Sequence, residues 1–209
     1  WKSENDQTAY APPFIATLAG VKHVLVFTVD GLIGLDTADG KLLWRVPLKT
    51  NFGRHVTIPT VVGNIVMVAS HQVGLVATRI KKDASGIKAE PAWTMAEMKI
   101  NFASPVIIGK HLYGVGPAKN VVCIDTEKGT LAWEKTGVIN STPDKAHASF
   151  LVLGTNILML NDSGQLILSR PIRRSSKKSA ACRCAVSIGV IRRTSTATCM
   201  SATTRNCSA

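Results

Sequence analysis

The sequence predicts an all-β fold: a partial β-propeller of four-stranded antiparallel blades, followed by an irregular C-terminal tail. Three observations carry this reading. Short runs of β-branched and aliphatic residues are punctuated by Gly and Asx, the pattern of strands and hairpins. Four pairs of apolar runs are joined at Gly20, Gly63, Gly109 and Gly154, which lie 43, 46 and 45 residues apart, and a near-constant period of that length marks a repeat architecture. The pattern Asp-Thr-x-x-Gly-x-Leu-x-Trp occurs twice, at Asp36–Trp44 and Asp125–Trp133.

The first period runs through "TLAGVKHVLVF", two strands about Gly20, to a third strand in "LIGLD" and a fourth in "KLLWRV". The second has "PTVVGNIVMVA", "GLVATRI" and "PAWTM"; the third has "SPVIIGKHLYGV", "NVVCID" and "TLAWEK". The fourth opens with "SFLVLGTNILML" and continues to "GQLIL", where the pattern stops. Trp44, Trp93 and Trp133 follow their glycines by 24, 30 and 24 residues, and the excess in the second period falls in "KKDASGIKAE", read as a polar insertion in a surface hairpin.

The residues between the third and fourth strands explain themselves. Asp36 and Asp125 can accept hydrogen bonds from N–H groups two or three positions on, and Gly40 and Gly129 can take positive φ, so each segment makes a tight turn. The indole that follows can cover its own sheet and fill the gap to the next blade, its N–H reaching a backbone carbonyl. Four strands with that indole in about 45 residues make one propeller blade.

The Asp-x-x-x-Gly-x-x-x-Trp pattern resembles the repeat of the pyrroloquinoline-quinone-like (PQQ-like) β-propellers. That family includes quinoprotein alcohol dehydrogenases, the propeller lipoprotein of outer-membrane assembly and periplasmic repeat proteins. The resemblance covers residues 14–168, about three and a half blades. It implies a scaffold that presents loops to a small-molecule ligand or a protein, in a periplasmic or secreted location. Its alternative implication is part of a quinone-dependent alcohol dehydrogenase, which would bring PQQ and calcium. The adjacent cysteines of many such dehydrogenases do not occur, no catalytic set is assigned, and no metal site is read from the sequence.

Charge divides the chain in two. The net charge of +12 would suggest a polyanionic partner, yet residues 1–168 hold 16 basic and 13 acidic groups, and residues 169–209 hold nine basic groups and no acid. The tail also lacks every aromatic that a nucleic-acid platform would use, so no nucleic-acid partner is expected. Its four cysteines do not have zinc-site spacing. The composition predicts disorder. Back-translating residues 171–209 and reading one base earlier permits a string containing "HPAYVDGHLYVRD", another strand, Gly turn and strand. We therefore expect 1–168 to be propeller blades and 169–209 to be a displaced reading frame. No apolar run approaches the roughly 20 residues of a membrane-spanning helix.

Polar residues just before each innermost strand converge at one mouth of a propeller channel. In "NFGRHVTIP", "INFASP" and "PDKAHASF" these are Arg54, His55, Asn101, Ser104, Lys145 and His147, the candidate ligand site. His, Asn and cationic groups suit an anionic or quinone-like ligand. "NFGRH" and "NFASP" also read as repeat equivalents with a shared turn role.

Overall fold

The computed structural model describes residues 1–139 and 147–169, with two further strands at 188–191 and 202–204. Four antiparallel sheets follow one another along the chain. The first orders β1 (Phe14–Leu18), β2 (Val21–Thr28), β3 (Gly31–Asp36) and β4 (Leu42–Pro47). The second comprises β5 (Thr60–Val62), β6 (Ile65–Ser70), β7 (Gly74–Asp83) and β8 (Gly86–Met95). The third comprises β9 (Val106–Ile108), β10 (His111–Val115), β11 (Val121–Asp125) and β12 (Thr130–Lys135). The fourth contains β13 (Ala148–Leu153), β14 (Asn156–Asn161) and β15 (Leu166–Ser169), extended by β16 (Ile188–Ile191) and β17 (Ala202–Thr204). This is the blade order the repeat predicts. The tail thus supplies two short strands, and its other residues lie outside the described ones.

The blades are glued by apolar faces. Leu18, Leu25, Phe27, Leu32 and Trp44 of the first meet Val66, Val68 and Ile80 of the second. Ile65, Met67 and Leu75 meet Leu112, Val122 and Ile124. Between the third and fourth, Tyr113, Cys123 and Ile157 form one cluster, with Val115, Met159 and Ile167 in another. Each such side chain, taken fully out of water, contributes about 1.5–3 kcal/mol. Cys123 is buried there, its thiol hydrogen-bonded with Tyr113.

The indoles obey a local rule. Trp44, Trp93 and Trp133 stand opposite Gly34, Ala77 and Cys123 on the third strand, and each pair sits beside a register shift. A small cross-strand partner and a bulge give the ring room to lie flat. Trp93 then reaches blade 3: its Nε1 donates to the Thr126 carbonyl at 2.9 Å, and a Cβ on Gly129, where φ is +64°, would lie 2.5 Å from the ring. The Asp125 carboxylate holds that turn by accepting from Glu127 and Lys128 N–H, each at 3.0 Å. Asp36 does the same for Ala38 N–H at 2.8 Å.

Two details differ from expectation. Trp1, which the repeat reading overlooked, occupies the same place on blade 1, with Nε1 donating to the Thr37 carbonyl at 3.4 Å and the ring lying over Gly40. Its signal was there: Trp1 precedes Gly20 by 19 residues, as Trp44 precedes Gly63. The second concerns the insertion, which is more than a polar surface hairpin. In blade 2 the Asp-Thr turn is replaced by the long β7–β8 hairpin, whose stem packs Ile80, Ile87 and Ala89 in the cluster that holds Trp44. With no turn carbonyl to meet, the buried Trp44 Nε1 has no hydrogen-bond partner among the described residues, contrary to the expected backbone contact.

The segment before β1 straps the outer half of blade 1. Arg45 pairs with Asp6 at 2.5 Å and Glu4 at 2.8 Å, and Thr28 Oγ1 donates to Asp6 at 2.7 Å. The Arg45 guanidinium holds the Asp6 carboxyl below the usual carboxylate range.

Candidate functional site

The loops that leave each outermost strand for the next innermost one gather at one end of the blades, beside the β2–β3 and β6–β7 turns. Leu48 N donates to the Asp30 carbonyl at 3.2 Å, and Asn51 N to Gln72 Oε1 at 2.6 Å. The sequence-predicted residues fall on these loops, but with divided roles.

His55 is fully buried. Its ring stacks on Phe27 with centroids 4.0 Å apart, Nδ1 lies 2.6 Å from the Thr28 carbonyl and Nε2 lies 3.3 Å from Thr50 Oγ1. Its own carbonyl accepts from Tyr10 and Ala11 N–H at 3.1 and 3.0 Å. Burial holds the imidazole below its usual value, so it stays neutral. His55 therefore ties loop, blade and strap together and has no nitrogen left for a ligand. Ser104 is likewise engaged: its Oγ accepts from Ile58 N at 3.0 Å, stapling the first loop to the second. Asn101 Oδ1 accepts from Phe102 N at 3.1 Å. Lys145 lies outside the described residues.

Arg54 and His147 remain exposed, and each addresses a phenylalanine that the sequence reading did not single out. The Arg54 guanidinium stands 5.0 Å from the Phe52 centroid, and His147 meets Phe102 edge-on at 5.8 Å. Phe52 is 82% exposed and Phe102 55% exposed. Both have left-handed backbones, φ being +72° and +61°. Phe102 is the middle residue of a γ-turn, Ala103 N donating to the Asn101 carbonyl at 2.7 Å, the strained form of that turn when φ is positive. A bulky side chain at positive φ costs on the order of 1–3 kcal/mol. Rings left mostly in water recover little from burial to offset it. The one sequence hint was the repeated Asn-Phe at 51–52 and 101–102.

Among the described residues no three His, Cys, Asp or Glu side chains converge as a metal cage. Each of two loops, joined by the Ile58–Ser104 hydrogen bond, carries an exposed aromatic ring, one beside a cation and one beside a histidine. Together they offer flat apolar faces and one guanidinium without a carboxylate partner among the described residues.

Blades of this construction, with an indole docked on the turn of the next, are those of a β-propeller. Within that class, residues 1–94 match a family model described as outer membrane protein assembly factor BamB. No curated protein sequence matches the chain. Among solved structures it is similar to BamB from Moraxella catarrhalis, at 18% identity and a TM-score of 0.56, covering 77% of this chain and 49% of that one. It is also similar to the computationally designed Ika8 protein, at 11% identity and a TM-score of 0.51, covering 88% and 54%. A quinohemoprotein alcohol dehydrogenase from Pseudomonas putida follows, at 16% identity and a TM-score of 0.48, covering 81% and 29%. The chain thus matches about half the length of the first two.

Proposed function

We propose that the chain is a scaffold module that binds a protein partner through the loop end of its blades, in a periplasmic or secreted setting. The observation that carries this is the pair of strained, solvent-facing phenylalanines at equivalent loop positions. Strain held at two adjoining exposed sites is the mark of a surface shaped for contact rather than for stability. The family match to an assembly factor agrees with a scaffold. No helix among the described residues is long and apolar enough to cross a membrane.

Photo-crosslinking tests the reading. A crosslinking amino acid placed at position 52 or 102 in the cells of origin is expected to trap the same partner protein, and one at Thr155, on the opposite turns, is not. Arg54→Glu should abolish the adducts. Equal trapping from both ends, or none from the loop end, would defeat the proposal. Titration with PQQ and calcium discriminates the oxidoreductase alternative: saturable quinone binding with dye-linked alcohol oxidation would replace the scaffold reading.

A further inference from the structure

Blade 1 holds two buried polar atoms that have no hydrogen-bond partner among the described residues. One is Trp44 Nε1 and the other is His23 Nε2. Both side chains stand on the face that meets blade 2: Trp44 lies opposite Gly34 and His23 opposite Asp36, two positions further along the same face of β3. Their ring centroids are 6.1 Å apart, with the planes inclined by 43°. His23 is fully buried and Trp44 almost so.

The two atoms are chemically complementary. His23 Nδ1 lies 2.8 Å from the Val21 carbonyl, an oxygen that can only accept, so Nδ1 carries the ring proton. Burial keeps the imidazole uncharged. Nε2 is therefore bare and needs a donor, whereas the indole N–H can only donate and needs an acceptor. The neighbouring seam shows what ordinarily meets an indole here, because Trp93 Nε1 donates to the Thr126 carbonyl on the docking turn. Blade 2 has the β7–β8 hairpin in place of that turn, and its Ile80, Ile87 and Ala89 close over Trp44 with apolar groups that neither donate nor accept. His111 gives the contrast. It pairs with Asp125 as His23 pairs with Asp36, but it is half-exposed and solvent reaches its ring directly.

We propose that one ordered water molecule is bound beneath the hairpin, accepting from Trp44 Nε1 and donating to His23 Nε2. It takes the part that the Thr126 carbonyl plays in the next seam. Relative magnitudes support the site: leaving a buried donor and a buried acceptor both unpaired costs more than immobilising one water. Two polar partners are also the minimum that a buried water requires. The register shift between Gly34 and Leu35 loosens the ladder beside the indole.

Nuclear magnetic resonance of the purified chain is the test. The Trp44 indole proton, identified by its loss in Trp44→Phe, should show cross-relaxation with water of the sign that a long-lived bound molecule gives, and His23 should report the Nδ1–H tautomer. His23→Leu removes the acceptor but keeps a side chain of similar size, and should weaken that cross-peak at least several-fold. In urea titrations each single substitution should lower the folding constant by about 10-fold or more, and the two together by clearly less than the product of the single effects. If a variant does not fold, the wild-type cross-peak decides alone. An indole proton without a water cross-peak, an Nε2–H tautomer, or fully multiplicative losses would each overturn the site.

Discussion

Truncating Trp93 to alanine removes the seam between blades 2 and 3 at its best-defined point. Two losses add. The Thr126 carbonyl, on a fully buried residue, loses the indole N–H at 2.9 Å, and an acceptor left unpaired costs about 1–3 kcal/mol. Cutting a fully buried Trp to Ala costs about 3–5 kcal/mol, and this ring is half-buried, so about 2 kcal/mol is appropriate. The sum is about 3–5 kcal/mol, against a typical total stability of about 5–15 kcal/mol. At a urea dependence of about 2 kcal/mol per molar, the unfolding midpoint followed by far-ultraviolet circular dichroism should fall by about 2 M. Trp93→Phe keeps most of the ring and should fall about half as far. Trp133→Ala supplies the comparison, since its N–H makes no comparable bond among the described residues, and should cost about 2 kcal/mol. If Trp93→Ala stays within about 1 kcal/mol of wild type, or costs no more than Trp133→Ala, the indole–turn bond is not what closes the seam.

Three further outcomes follow from the same structure. Phe52→Gly and Phe102→Gly relieve left-handed strain and should each raise stability by about 0.5–1 kcal/mol in thermal melts, while abolishing partner crosslinking at the loop end; destabilisation by either would remove the strain argument. Burial holds both His23 and His55 below the usual 6.5, so the unfolded chain takes up protons first. Their contribution to stability is complete above about pH 6.5 and is lost as the pH falls through the depressed folded values; the melting temperature should drop between about pH 7 and pH 5, less steeply in His55→Gln. Arg45→Ala leaves the largely buried Asp6 without its cation, should cost about 2 kcal/mol, and should speed proteolysis within residues 1–10 relative to wild type.

The blade repeat was legible because it rests on local chemistry. Gly at positive φ, Asp facing N–H groups and an indole at fixed spacing all leave a mark in the sequence, and Asp36, Gly40, Asp125 and Gly129 stand in the turns they foretold. The loop end was harder to read. His55 looks like a ligand donor until Phe27, Thr28 and Thr50 are seen around it, and those partners lie up to 28 residues away in sequence. Ser104 is the same case, its partner Ile58 belonging to another blade. Phe52 and Phe102 are hidden in the sequence because an apolar residue is ordinarily a core residue, and only backbone dihedrals and solvent exposure show that these two are not. Trp1 is hard to assign from sequence because no strand pattern stands before it to mark it as a member of the repeat.

Blade 2 shows how tolerant the repeat is at its rim. There the docking turn has been exchanged for a hairpin whose stem shelters an indole, while its tip at Ala84 and Ser85 stays in water, fastened by Lys88–Asp83 at 2.9 Å and Lys81–Glu90 at 2.7 Å. A guest peptide spliced between those two residues would project outward from the circumference, away from the loop end. That gives the fold a natural mounting point for a tag or a tether.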